Sequence, residues 1–150
     1  MDAPYFEDFE TGQEYRTRLS DPVTNEMIDT YLELTGDRFP IHADRAFAQS
    51  HGLEDRMVPG NFVSALAAGL LYDCGHLRNL KVQSSKKIIF VSPLFPDQRF
   101  YVVDTVAQVA DRPDEPYGKV AIDRQIFSEK DTLIQRVENS YRILKRPTSG

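Results

Sequence analysis

Asp37 and His42 are the two side chains whose types and spacing suggest acid–base chemistry. They lie five residues apart, with Pro40 between them, in the stretch TGDRFPIHADRAFAQSHGLEDRMVPGNF of residues 35–62. A carboxylate and an imidazole held over one site can activate a water molecule and pass its proton onward. Each also has a structural interpretation, since an acid after a helix end is often a loop cap and a single histidine is often structural. The ordered combination favours a catalytic pair.

Gly60 has a different expected role, because it follows Pro59 and opens a long apolar helix. Backbone N–H groups at a helix start have no intrahelical partner, and the helix dipole favours negative charge there. Glycine permits close approach, so the Gly60 amide is a candidate donor to a developing oxyanion. Helix packing is the alternative explanation for this glycine. Asn61 and Ser64 lie within a turn of it and are candidate ligand contacts, although Asn61 is equally suited to capping the helix.

The elements before this helix are expected to position the acid. Thr24 predicts the N-cap of a first helix, and Gly36 predicts its left-handed C-cap. Asp37 therefore lies just past a helix end, at the mouth of a loop. Pro40 fixes its own φ and pushes Phe39 toward extended geometry, so this segment is predicted to be a loop rather than a helix.

Two further helices are predicted after the loop. Asp44 is placed to cap a short helix over residues 45–50. The helix over about residues 61–73 is apolar on nearly every face, which is typical of a buried helix. At 1.5 Å per residue it is about 20 Å long, enough to cross the middle of a small domain. Water activation beside a carbonyl-polarising amide suits the addition of water to an α,β-unsaturated thioester, or its removal. This helix, with Phe39 and Phe62, is therefore expected to line an acyl tunnel.

The later part of the sequence changes to strand periodicity. A short strand is predicted near residues 15–19, and β-branched and aromatic residues predict longer strands at 86–91, 99–109, 119–127 and 132–144. The fold class is thus α+β, with five or six mostly antiparallel strands forming a curved sheet around one long buried helix. Such a half-barrel leaves an edge or an apolar rim uncovered, so we expect a homodimer.

Composition narrows the functional classes. A chain of 150 residues with 41% hydrophobic and 27% charged residues fits a single domain over 1–150, with residues 146–150 as a frayed tail. A net charge of −5 gives no reason to expect nucleic acid as a partner. No metal-ligand spacing, phosphate-binding glycine loop or dinucleotide fingerprint occurs, so neither a metal nor a redox cofactor is expected.

The remaining candidate groups are predicted to be structural. Cys74, the only cysteine, has no histidine partner at a recognisable spacing and is expected to be a small core residue rather than a nucleophile. His51 and His76 flank glycines near helix ends and are expected at the surface. No signal peptide is visible, and the longest apolar run is too short to cross a membrane, so no membrane is expected and the cytoplasm is the predicted location.

Three segments resemble the MaoC-like dehydratase family, whose best-known members are R-specific enoyl-CoA hydratases: TGDRFPIHADRAFA, MVPGNFVSALAAGLL and IIFVSPLFPDQRFYV. The resemblance implies a hot-dog fold, dimeric assembly and syn hydration of a trans-2-enoyl thioester. It also implies that Asp37 and His42 are the catalytic acid and histidine and that the Gly60 amide binds the carbonyl oxygen.

Three places depart from the pattern of that family. Phe39 stands where the family usually has Asn, and Pro59 stands where it usually has His. The turn after the central strand reads Pro96-Asp97-Gln98 in place of the usual Pro-Gly-Asp. An Asn-to-Phe difference removes a polar group and narrows the pocket or makes it more apolar, while it leaves the expected fold unchanged.

The sequence therefore predicts a hydro-lyase acting on an enoyl or 3-hydroxyacyl thioester of coenzyme A or an acyl carrier protein. The coenzyme A or phosphopantetheine carrier is part of the substrate, and no other cofactor is needed. Lys86 and Lys87 belong to a basic cluster that suits the ligand's phosphates or, alternatively, protects a solvated strand edge. The predicted substrate contacts are Phe39, Asn61, Phe62, Ser64, Lys86 and Lys87. The alternatives are a thioesterase on the same fold and a non-catalytic acyl-binding subunit that needs a partner chain.

Overall fold

A computed structural model describes residues 2–148 and contains one five-stranded antiparallel sheet. The strands are β1 (Glu14–Arg16), β2 (Leu80–Phe90), β3 (Phe100–Ala110), β4 (Tyr117–Ser128) and β5 (Leu133–Leu144). Their order across the sheet is β1-β3-β4-β5-β2, which leaves β2 at one edge. Buried and partly exposed residues alternate along β4, so one face of the sheet meets the core, as the period-two pattern predicted. The α+β prediction is confirmed.

The long helix α4 (Gly60–Cys74) packs against that face. Its inward residues Val63, Ala67, Leu70 and Leu71 are buried, and Gly75 ends it with a φ of 89°. The sheet and α4 form the expected arrangement of a curved sheet around one helix. The opposite side of α4 is exposed in the single chain, so the prediction of burial on nearly every face is wrong for that side. Apolar composition alone does not say which face the chain itself can cover.

The segments that precede α4 follow their capping signals closely. Helix α1 (Asn25–Thr35) is capped by Thr24, whose side chain accepts a hydrogen bond from the Met27 amide, and Gly36 ends it with a φ of 71°. Helix α3 (Arg45–Ser50) has the predicted bounds, because the Asp44 carboxylate accepts from the Phe47 amide. Such hydrogen bonds form between residues that are close in the sequence, so sequence reasoning can find them. The predicted caps at Thr24, Gly36 and Asp44 are confirmed.

The loop between α1 and α3 contains a short helix that the sequence reasoning excluded. Phe39 is extended, with φ −59° and ψ 123°, as Pro40 requires. Pro40 nevertheless begins the single turn α2 (Pro40–Ala43), so the prediction of a loop without helix is wrong over these four residues. A proline is tolerated at the first helical position because its missing N–H would have no partner there.

His76 contradicts its predicted surface position. Its side chain is buried, with Nε2 2.8 Å from Oδ2 of Asp104, and its ring stacks on Tyr15. Arg124 donates to both carboxylate oxygens of Asp104 and to the Tyr141 hydroxyl. Burial favours the neutral acid, yet the hydrogen bonds from Arg124 and His76, together with the Arg124 charge, outweigh it and hold the pKa of Asp104 below its usual value. Burial raises the pKa of Tyr141 to about 12.

The chain termini are linked by ionic contacts. Arg146 donates to the carboxylate of Asp8 at 2.7 and 2.9 Å, and its backbone amide donates to Glu7. The frayed tail stays a prediction for the end of the chain, and residues 149–150 lie outside the described residues. Within residues 2–148, no helix has both the length and the hydropathy needed to span a membrane.

Candidate active site

Asp37 and His42 line one cavity of about 390 Å³, which we call the first cavity. Asp37 follows the α1 cap, and its Oδ1 accepts a hydrogen bond from the Phe39 amide at 3.1 Å. This local bond holds the carboxylate beside the turn that carries the histidine. Gly60 and Asn61, in the first turn of α4, line the same cavity. The structure therefore brings together the acid, the histidine and the helix start that the sequence singled out.

The imidazole of His42 is oriented by the loop before α4. Its Nδ1 lies 2.9 Å from the carbonyl oxygen of Met57, and the Met57 amide donates to the Ile41 carbonyl at 3.0 Å. A carbonyl oxygen only accepts hydrogen bonds, so Nδ1 carries the hydrogen. In the neutral ring the lone pair then lies on Nε2, which can accept a proton. This is the form that a general base requires.

Arg56 fixes the loop that presents the Met57 carbonyl. Its guanidinium is buried and donates to the side-chain and backbone oxygens of Asn25 at 3.0 to 3.2 Å. Sequence reasoning missed this residue, because its partners lie about thirty positions away on α1. Nothing in the local sequence signals such a contact.

Gly60 has a steric role in addition to the role expected for its backbone N–H. A Cβ at this position would overlap the ring of Phe90, which also lines the first cavity. The close approach that requires glycine is therefore made by Phe90 of β2. The Gly60 and Asn61 amides belong to the first turn of α4, where no intrahelical acceptor exists. Close packing and an amide without an intrahelical acceptor therefore coexist at this glycine.

Gln135 on β5 is a site residue that the sequence analysis missed. Its side chain is fully buried, donates to the Gly60 carbonyl at 2.7 Å and accepts from the Ser64 hydroxyl at 2.8 Å. It thereby fixes the first turn of α4 against the sheet. Polar alternation along a strand suggests solvent exposure, so only the buried register of β5 reveals this role.

Four predicted substrate contacts do not line the first cavity: Phe62, Ser64, Lys86 and Lys87. Ser64 lines a separate cavity on the other side of Gln135. The Phe62 ring stacks on Tyr31, with centroids 4.5 Å apart, on another side of α4. Lys86 and Lys87 are exposed on β2 and are not among the residues that line the first cavity. The contact of these lysines with ligand phosphates stays a prediction. Phe39 lines the cavity and is 70% exposed, so it lies at the mouth.

The electrostatics of the site come from the protein's own side chains and backbone. Among residues 2–148, no three His, Cys, Asp or Glu side chains are grouped as a metal site would require. The cavity offers an anionic carboxylate, an oriented imidazole and the positive end of a helix. Such a set can take a proton from water and stabilise negative charge on an oxygen.

Sequence comparison assigns the family. The family described as the MaoC-like domain matches residues 8–123, which includes the first cavity's acid, histidine and helix start. The chain belongs to the MaoC-like domain family. No curated protein matches this MaoC-like chain in sequence.

Solved structures share the fold of this MaoC-like chain. A monoamine oxidase regulatory protein from Archaeoglobus fulgius is 24% identical, with a TM-score of 0.86 over 98% of each chain. The (R)-hydratase from A. caviae involved in PHA biosynthesis is also 24% identical, with a TM-score of 0.69 over 94% of this chain and 99% of that one. A Mycobacterium tuberculosis protein with a double hot-dog fold is 15% identical, with a TM-score of 0.84 over 99% of this chain and 46% of that one. The hot-dog fold is thereby confirmed.

One departure from the family pattern has a visible backbone consequence. Asp97 stands where the family usually has glycine, and it adopts a positive φ of 66°. This is the left-handed conformation that glycine adopts without steric cost. The Asp97 amide donates to the Val23 carbonyl at 2.8 Å.

Proposed function

We propose that this MaoC-like protein hydrates a trans-2-enoyl thioester, or dehydrates the corresponding 3-hydroxyacyl thioester, carried by coenzyme A or an acyl carrier protein. The observation that carries the proposal is the first cavity, where Asp37, His42 and the Gly60 amide meet. The His42–Met57 hydrogen bond supports it, because it leaves Nε2 as the basic nitrogen. The family membership supports the reaction class.

In the hydration direction, Asp37 and His42 orient a water molecule, and the His42–Asp37 pair takes its proton as the oxygen attacks the β-carbon. The π electrons of the double bond move to the thioester oxygen, giving an enolate. The Gly60 amide stabilises that charge, and a proton then returns to the α-carbon. Acid–base groups of this kind contribute about 10²–10⁴-fold each, and an oxyanion donor about 10²–10³-fold. The thioester carrier is the only non-protein group that the reaction needs.

We also propose that the working unit is a homodimer in the cytoplasm. The exposed apolar side chains of the β2 edge and the residue after it support pairing: Val82, Ile88, Ile89, Phe90 and Val91. An uncovered strand edge of this length is a template for association with another chain. Phe90 belongs to both this edge and the first cavity, so pairing would change the cavity's mouth.

The test mixes the protein with short and medium trans-2-enoyl-CoAs and follows loss of the ultraviolet enoyl-thioester band, with a thiol reagent in parallel. The wild type should remove the band without releasing thiol. Asp37→Asn should lower the rate by about 10²-fold or more, because an amide cannot share the proton that the His42–Asp37 pair takes from water. Asp114→Asn, an exposed loop substitution, is the matched control and should keep the wild-type rate.

Other outcomes assign other functions. Release of thiol would identify a thioesterase, in which water attacks the carbonyl carbon. If the enoyl band stays unchanged and no thiol is released with any substrate of the panel, the hydratase proposal is contradicted and an acyl-binding subunit is favoured. Phe39 and Pro59, which differ from the usual residues of the family, support that alternative. A wild-type turnover rate in Asp37→Asn would show that Asp37 has no catalytic role.

A further inference from the structure

A second cavity of about 320 Å³ lies between α4 and the inner face of the sheet. Gln135 lines both this cavity and the first, so the two adjoin at its side chain. The hydrogen bonds of Gln135 to the Gly60 carbonyl and the Ser64 hydroxyl lie between the two cavities, so an acyl chain whose thioester lies in the first cavity must displace them to extend into the second. The helix contributes small and apolar residues to the second cavity: Ala67, Ala68 and Leu71. The sheet contributes polar ones, including Gln83, Ser85, Arg124 and Asn139.

Asn139 is the polar residue whose hydrogen bonding is incomplete. Its side chain lies in the buried register of β5, and the residue is 3% exposed. Its Oδ1 accepts hydrogen bonds from the Ser85 hydroxyl at 2.7 Å and from the side-chain Nε2 of Gln83 at 3.4 Å. Its Nδ2 has no hydrogen-bond partner among residues 2–148. A buried N–H without an acceptor is unfavourable. Nδ2 has almost no accessible surface in this structure, so a ligand oxygen in the cavity reaches it only when the Asn139 side chain rotates toward the cavity, and the new hydrogen bond then removes that cost.

Arg124 determines which acceptor suits this cavity. Its Nε and Nη2 donate to Asp104 at 2.7 and 2.8 Å, and Nη2 also donates to the Tyr141 hydroxyl at 2.8 Å. The Asp104 carboxylate offsets the arginine charge at contact distance. The cavity therefore offers N–H donors without an uncompensated positive charge. An uncharged oxygen satisfies this arrangement, whereas a carboxylate would have its own charge left unpaired.

We infer that the second cavity receives the distal part of an oxygenated acyl chain, and that Asn139 binds its hydroxyl, ether or carbonyl oxygen. This inference rests on the proposed function for the position of the thioester. Gln135 and Asn139 are four residues apart on the same face of β5, which is about 13 Å. That distance corresponds to a medium-length chain in extended form. The substrate class is thus an enoyl thioester that carries a polar oxygen remote from the double bond.

Binding of non-reacting thioesters tests this inference independently of catalysis. Calorimetry would give the Kd of octanoyl-, decanoyl- and dodecanoyl-CoA, each paired with its ω-hydroxy analogue. At one or more of these lengths the wild type should bind the hydroxylated member about tenfold more tightly, as one satisfied buried hydrogen bond implies. Asn139→Leu, of similar volume, should remove that preference. Glu138→Gln, on the exposed face of the same strand, should keep it.

Each outcome has a definite meaning. Equal or tighter binding of the alkyl member at every length would overturn the inference, as would a preference that persists in Asn139→Leu. Thermal unfolding of each variant would establish that it folds, and Asn139→Ala supplies a second variant without a side-chain donor. The enoyl hydration assay is read separately. A hydroxyl preference without hydration would contradict the proposed function and leave the recognition by Asn139 standing.

Discussion

The guanidinium of Arg56 joins the loop before α4 to the α1 helix, with Nη1 2.6 Å from Oδ1 of Asp29. The Arg56 side chain is only 9% exposed, whereas the Asp29 side chain is 66% exposed. The buried partner belongs to the loop, so the contact fixes the position of the loop against α1. The next residue, Met57, accepts the hydrogen bond from His42 Nδ1. Arg56 therefore acts as a positioning residue for the histidine, although it does not line the first cavity.

Replacing Arg56 tests this positioning role. Arg56→Met should lower kcat by about tenfold with little change in KM, because the Met57 carbonyl would no longer hold the imidazole in place. It should also cost about 1–3 kcal/mol in the free energy of unfolding, since its hydrogen bonds are lost from a buried position. The matched control is Arg45→Met, whose side chain is 68% exposed and lies 3.7 Å from Asp55. A destabilised Arg56→Met with wild-type kcat would refute the positioning role.

The contact between Gly60 and Phe90 predicts a coupled pair of substitutions. Gly60→Ala should lower kcat/KM by about tenfold or more, because its Cβ displaces the Phe90 ring that borders the first cavity. Phe90 is 57% exposed, so its ring can move away and the free energy of unfolding should change by only about 1 kcal/mol. In a Phe90→Ala background, Gly60→Ala should have a smaller kinetic effect. Additive effects in this double-mutant cycle would contradict the proposed contact.

The buried Asp104–Arg124 pair predicts a strong and pH-dependent effect on stability. Asp104→Asn should cost about 3–5 kcal/mol at neutral pH, because it leaves the Arg124 charge buried without its partner. The lowered pKa of Asp104 means that its ionisation stabilises the fold above the unfolded value of about 4. This contribution is lost as the pH falls through the lower folded value.

Urea unfolding at several pH values measures this effect. The difference between wild type and Asp104→Asn should be largest at neutral pH and should shrink below a pH of about 4. Asp123→Asn is the control, because Asp123 and Arg136 form a partly exposed pair whose loss should cost much less. Equal losses of unfolding free energy in Asp104→Asn and Asp123→Asn would contradict the claim that burial makes the Asp104–Arg124 pair more important for stability.

The uncovered β2 edge predicts the surface through which two copies pair. The wild type should have twice the mass of the 17.2 kDa chain by light scattering. Ile89→Asp should shift the mass toward the monomer, because it places a charge on an apolar strand edge. Leu34→Asp on α1 changes a side chain that is 83% exposed and should remain dimeric. Dissociation by Leu34→Asp but not by Ile89→Asp would place the interface elsewhere.

Much of the architecture could be predicted because its determinants are local. The caps at Thr24, Gly36 and Asp44 are made by side chains or glycine conformations within a few residues of the elements they bound. The strands follow from period-two patterning, although β2 begins six residues earlier than predicted. The order of acid, histidine and glycine also identified three groups that line the first cavity.

Tertiary structure alone decided which polar side chains are buried. Gln135 lies 75 positions from Gly60 and His76 lies 28 positions from Asp104, so strand register rather than local pattern brings these partners together. From the sequence alone, Gln135 and Asn139 resemble residues on the solvent-exposed face of a strand, and His76 resembles an exposed residue at a helix end. The sequence by itself therefore determined most of the elements, apart from α2 and the start of β2, and it also determined the acid–histidine–glycine set. Folding determined the second cavity and its unsatisfied donor, because a buried hydrogen bond depends on long-range pairing that no local spacing encodes.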